Sequence, residues 1–220
     1  MKGLHGVLSC RVLVAVLICA ALLLPLQAQG NDAGVDAPLP QLFDVMGVAA
    51  DDRLNVRSGP GTGYRVISTL APDATGVEVV ARNAAGTWGQ VNTGERAGWV
   101  ALHFMRARGV HIDNYNLPVG IRCFGTEPFW SLTHDGAGQL VLDAPGKDPQ
   151  PFALEIAQDS GIPGDLRRML RATGSAGVLT GYAYPAMCDD GMSDRRYGLA
   201  LGLMPRSDGP LLTGCCTLAP

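Results

Sequence analysis

From Phe43 onward the sequence is a succession of short runs rich in β-branched and aromatic residues, each stopped by a turn-forming residue. In the first half the runs are Phe43 to Val48, Leu54 to Arg57, Val66 to Leu70, Val77 to Arg82, Thr87 to Asn92 and Ala97 to Ala101. Between them stand Asp51-Asp52, Ser58-Gly59-Pro60-Gly61, Pro72-Asp73, Asn83 to Gly86 and Thr93-Gly94. In the second half they are Phe129 to Thr133, Gln139 to Asp143, Phe152 to Ala157, Val178 to Tyr184, Tyr197 to Met204 and Leu211 to Thr217. This punctuation predicts a mainly β protein: a small barrel or sandwich, then an antiparallel β domain. One short helix is expected, over Asp165 to Ala172, with Asp165 near its start and Gly174 just past its end.

The N-terminus has a different texture. Lys2 and Arg11 precede an unbroken apolar stretch, Val12 to Leu24, which Pro25 breaks shortly before the small residue Ala28. That is the layout of a secretory signal peptide, expected over residues 1–28. The stretch is short against the roughly 20 apolar residues of a spanning helix. The alternative is retention as a membrane anchor. Ile18 before Cys19 does not suit lipidation, which favours a small residue there.

Cys10 and Cys19 leave with the leader. Cys123, Cys188, Cys215 and Cys216 remain. In an oxidising compartment an even count reads as disulfides, and four cysteines allow three pairings. A zinc site would show a Cys-x-x-Cys knuckle, whereas two of these cysteines are adjacent. Adjacency also disfavours a Cys215–Cys216 bridge, because neighbours on a strand point to opposite faces. Removing Lys2 and Arg11 takes the formal charge from −3 to −5 and leaves Lys147 as the only lysine. With no basic run, nucleic acid is a poor partner. No later segment is apolar enough to span a bilayer, so no membrane contact is expected after cleavage.

Residues 29–42, rich in Gly, Ala, Asp and Pro, read as a flexible tether. Over 43–105 the runs carry an ordered series of motifs: Leu54-Asn55-Val56-Arg57-Ser58-Gly59-Pro60-Gly61-Thr62, then Trp88-Gly89-Gln90-Val91, then Gly98-Trp99-Val100 before a closing turn at Leu102 to Met105. This segment resembles bacterial SH3-like domains. Leu54 and Val56 alternate with Asn55 and Arg57, so one pair faces inward and the other outward. The glycines of Ser58 to Gly61 are expected to supply positive φ. The resemblance implies a binding module for cell-wall peptides or a targeting arm of wall hydrolases. Asn55, Arg57, Tyr64, Trp88 and Trp99 are the candidate ligand-binding residues, since aromatic rings beside polar groups suit a peptide or sugar-peptide. Packing competes with binding for Trp88 and Trp99, and Trp99 in particular is expected to help close the small core.

After a polar connector, 106–120, residues 121–220 form the second domain. Gly125-Thr126-Glu127-Pro128-Phe129-Trp130, Cys188-Asp189-Asp190-Gly191-Met192-Ser193-Asp194 with Tyr197, and Gly214-Cys215 resemble an uncharacterised family of exported bacterial domains. That resemblance favours Cys188 with Cys215, leaving Cys123 for Cys216. Of Phe129 and Trp130, one is expected in the core and the other on the surface. Asp190-Gly191 is read as a hairpin turn rather than a calcium site, since the loop length and terminal Glu of an EF-hand are missing.

No catalytic constellation or cofactor motif emerges. His103, His111 and His134 sit in no zinc-protease or Gly-x-Ser-x-Gly pattern. Glu127 with Asp190 or Asp194 could form a carboxylate pair, as in glycoside hydrolysis, but a solvated turn explains the aspartates more cheaply. The expectation is an exported, periplasmic, non-enzymatic protein binding cell-wall peptide or an envelope protein. The alternative is a wall hydrolase with its active site in the second domain and the SH3-like domain as targeting arm.

Overall fold

The structure, a computed structural model, describes residues 38–219. The expected signal peptide, and the tether as far as Ala37, lie outside the described residues.

The first module comprises β1 (Gln41–Val45), β2 (Leu54–Arg57), β3 (Val66–Leu70), β4 (Val77–Val79), β5 (Ala81–Arg82), β6 (Trp88–Thr93), β7 (Arg96–Ala101), a 3-10 turn (Leu102–Phe104) and β8 (Met105–Ala107). They form a three-stranded sheet, β4-β1-β8, and a five-stranded sheet, β3-β2-β7-β6-β5. Phe43, Leu54, Val56, Val79, Val91 and Val100 fill the core between them. The strand period of two puts each of these inward and sends its neighbour outward. Two expected boundaries move. The tether stops short of β1, since Pro40 is fully buried and packs against Gly198. The boundary at 105/106 falls inside β8, which pairs with β1.

The second module is an eight-stranded up-and-down barrel of β9 (Arg122–Thr126), β10 (Phe129–His134), β11 (Gln139–Asp143), β12 (Gln150–Gln158), β13 (Arg168–Gly174), β14 (Gly177–Cys188), β15 (Tyr197–Met204) and β16 (Leu212–Thr217). Each strand pairs antiparallel with the next, and β16 closes onto β9 through Cys215↔Phe124, Cys216↔Cys123 and Thr217↔Arg122. Closure removes the exposed edges an open sheet would leave. The helix expected over Asp165 to Ala172 is absent. Arg168, Leu170 and Ala172 are buried while Met169, Arg171 and Thr173 are exposed, the period of a strand. Asp165 does accept the Arg167 N–H, 3.0 Å, but the turn it makes leads into β13.

Inside the barrel, the Trp130 indole lies across Gly125 and Gly214. A Cβ on Gly125 would stand 2.3 Å from Trp130 Nε1, and one on Gly214 2.8 Å from its Cζ2. Gly125 thus makes room for the indole, and Gly214 for both the indole and the Phe124 backbone, whose carbonyl oxygen would stand 2.0 Å from a Cβ there. Trp130 is 4% exposed and Phe129 52%, dividing them between core and surface.

Residues of the expected connector close one end of the barrel. Leu117 belongs to the barrel core. The Asn116 side chain donates to Ala157 O, 2.8 Å, and the buried Arg168 donates to Asn116 O, 2.6 Å.

Asp190-Gly191 is not a two-residue turn; the loop from β14 to β15 runs over residues 189–196. It folds back along the outside of the seam, where Thr126 Oγ1 donates to Asp190 O, 2.8 Å, and the Phe124 and Tyr197 rings meet edge-on at 5.0 Å. The same loop docks the first module. Asp194 exchanges backbone hydrogen bonds with Glu95 and Ala97, both 2.9 Å, and Asn92 pairs with the Arg196 backbone, 2.8 and 2.9 Å. The buried Glu78 carboxylate of β4 accepts the Thr217 hydroxyl and the Leu218 N–H. Both modules lie in a single compact unit.

Candidate functional site

Alternation in three adjacent strands builds one outward surface. On β2, Leu54 and Val56 point into the core, leaving Asn55 and Arg57 outside. On β6 and β7 the buried positions are Gly89, Val91, Gly98 and Val100, so Trp88, Trp99 and Ala101 face out. Cross-strand register aligns them: Arg57 opposite Trp99, and Trp88 opposite Ala101. Directly opposed residues share a face, so Asn55, Arg57, Trp88 and Trp99 lie on the same side of the sheet.

Three of these line a groove of about 600 Å³ with Asp52, His103 and Phe104. Its supports are local. Arg57 Nη1 donates to Tyr64 O, 2.8 Å, fixing the β2–β3 loop. The Asn83 side chain accepts the N–H groups of Thr87 and Trp88, each 2.9 Å, and so holds the hairpin that carries the indole. At the far wall the His103 and Phe104 rings lie 3.9 Å apart. An indole, a guanidinium, an amide and a carboxylate around one concavity can sort a peptide by shape, charge and hydrogen bonding. Such a set binds.

Trp99 and Tyr64 are not brought into the groove. Neither tryptophan of the domain belongs to its core: both are half-buried on the outer face, which corrects the expectation that Trp99 closes the core. Tyr64 is 51% exposed, and its ring lies where a Cβ on Gly59 would be, 2.4 Å away. Gly59 and Gly61 are not among the positive-φ glycines, so close approach of Tyr64, rather than unusual φ, requires glycine at 59. Asp52, His103 and Phe104 escaped the sequence reading. The signal available for the last two was their place in the closing turn beside Trp88-containing β6.

The acidic motif has a structural use. The Asp190 carboxylate accepts the N–H groups of Met192 and Ser193, 3.0 and 2.8 Å, and the hydroxyls of Ser193 and Tyr197. Burial pushes Asp190 up, but these donors outweigh it and hold the group below the ordinary carboxylate range. Asp189 Oδ1 accepts the Gly191 N–H, 3.2 Å. The cysteines form Cys123–Cys216 and Cys188–Cys215, the pairs implied by the second resemblance. The first staples the seam; the second ties the base of the docking loop to β16.

Comparison with known families bears on the groove directly. Residues 52–106 match the bacterial SH3 domain. The match takes in Asp52, Asn55, Arg57, Trp88, His103 and Phe104, and stops short of the barrel. No curated protein and no solved structure matches the chain. The family match is confined to the first module, and the barrel lies outside it.

Proposed function

We propose that this is an exported cell-envelope binding or scaffold protein whose SH3 domain engages a cell-wall peptide or an envelope protein. The observation that carries the reading is the groove that gathers Asn55, Arg57 and Trp88 on a domain of a family associated with such binding. Two disulfides among the described residues suit an oxidising compartment, in keeping with a periplasmic location and with the leader read at residues 1–28. The barrel serves as a docked partner module, and the protein acts by binding rather than by hydrolysis.

Co-sedimentation of the exported chain with purified peptidoglycan, with turbidity followed in parallel, tests this. The expected result is retention without clearing, with Arg57→Ala and Trp88→Ala each weakening retention about tenfold, the weight of roughly 1.4 kcal/mol at a contact residue. Retention unchanged by both substitutions would remove the groove from the reading. Clearing of the suspension would establish the hydrolase alternative, with its active site in the barrel.

A further inference from the structure

The end of the barrel away from residues 110–120 is formed by the four hairpins β9–β10, β11–β12, β13–β14 and β15–β16. They surround a cavity of about 570 Å³, within the range of about 300–1,000 Å³ common for small-molecule sites. Its wall is apolar: Phe129, Trp130, Leu142 and Leu212 line it, with Ala144 and Ala176 at the mouth. Four prolines, 128, 145, 205 and 210, lie in the surrounding loops. Their fixed φ limits the freedom of those loops, so the opening is held rather than left to collapse onto its own apolar surface. The opposite end is filled by Leu117 and Leu166, both in the barrel core. The cavity therefore has one opening.

The charges at that opening are not equivalent. Arg206 is held by Asp208, 3.1 Å. Lys147 lines the cavity, and its ammonium has no ion-pair or side-chain hydrogen-bond partner among the described residues. Asp148, next in the chain, also lines the cavity without an ion-pair partner among the described residues, so the head of a ligand is placed by Lys147 alone; an apolar interior with that ammonium at the rim matches an alkyl chain ending in an anion. We propose that the free mouth of the barrel binds a single amphiphile, a medium-chain alkyl carboxylate with its chain among Phe129, Trp130, Leu142 and Leu212 and its head at Lys147. This site is separate from the SH3 groove and does not depend on the reading of that groove.

Decanoate, titrated into the full chain below its micelle concentration and followed by tryptophan fluorescence and calorimetry, tests the proposal. Saturable binding of one molecule per chain is expected, and Lys147→Ala should weaken decanoate about fivefold, the scale of an exposed ion pair, while leaving 1-decanol unchanged. Ala144→Trp should fill the mouth and abolish both. Ala176→Trp, on the neighbouring hairpin, replaces it should that variant fail to fold. Absence of saturable decanoate binding, or wild-type affinity in a folded mouth-filling variant, overturns the site. Equal weakening of decanoate and 1-decanol in Lys147→Ala overturns the assigned head. Association with phosphatidylglycerol vesicles in the absence of decanoate binding would make the mouth a membrane-facing surface instead.

Discussion

Cys123 and Cys216 face each other across the seam where the first and last strands of the barrel meet, with Cα atoms 3.9 Å apart. The bridge closes a loop of sequence separation 93, against 27 for Cys188–Cys215. In the chain-entropy view the longer closure stabilises more, by about 1 kcal/mol over the shorter. Urea unfolding of Cys123→Ser/Cys216→Ser should show a loss of about 2–5 kcal/mol, exceeding that of Cys188→Ser/Cys215→Ser. The reverse order would mean that the docking loop, not the seam, limits stability.

Gly125→Ala should be costly out of proportion to one methyl group. The new Cβ would stand 2.3 Å from Trp130 Nε1 and 2.7 Å from Thr213 O, so both the indole and a backbone group must shift. Overpacking of this kind costs about 1–3 kcal/mol or more. Thermal melting together with the near-ultraviolet signal of Trp130 measures it; a wild-type melting point would show that the indole has another place to go.

The two outward tryptophans of the SH3 domain should separate folding from binding. Trp88→Ala and Trp99→Ala leave the core intact, so each should cost clearly less than the about 3–5 kcal/mol of a buried aromatic. Phe43→Ala, at a side chain in the core itself, provides that reference in the same melting experiment. Only Trp88→Ala should also reduce retention on peptidoglycan, since Trp99 lies outside the groove lining.

Glu78 should make the junction between the modules pH-sensitive. Burial raises it above its ordinary value of 4.5, and the hydrogen bonds from Thr217, Leu218 and Ala219 offset only part of that rise. A carboxyl raised in the folded state contributes stability that is fully present below pH 4.5 and is lost as pH climbs through the folded value. Asp190, lowered in the folded state, works in the opposite sense and in a separate window, its contribution fading as pH falls below 3.8. Arg122 and Arg195 line the same cleft. Urea midpoints measured from pH 4.5 upward should therefore decline more steeply for the wild type than for Glu78→Gln, whose uncharged amide has no such titration.

Most strands could be read from the sequence because a large apolar residue alternated with a polar or small one, as at Leu54 to Arg57 and Tyr197 to Met204. Two could not. In β13, Leu166, Met169 and Leu170 mimic helical spacing between Asp165 and Gly174, and only the barrel decides that Met169 faces out. In β9, Gly125 is an inward position because Trp130 from the next strand occupies its space, so the strand lacks an apolar pattern of its own. The groove was legible where a linear motif carried it, at Asn55, Arg57 and Trp88. The barrel mouth was not, because its ordinary lining residues are spread over four loops and only closure brings them together.

Arg122 opens the barrel and Thr217 ends it, and the two are paired neighbours. The eight strands thus form a ring whose break in the covalent chain falls at the seam merely by the order of synthesis. Joining those ends with a short linker and opening the chain at a hairpin such as β11–β12 would leave every strand beside its present neighbours. The barrel is in that sense a circularly permutable scaffold.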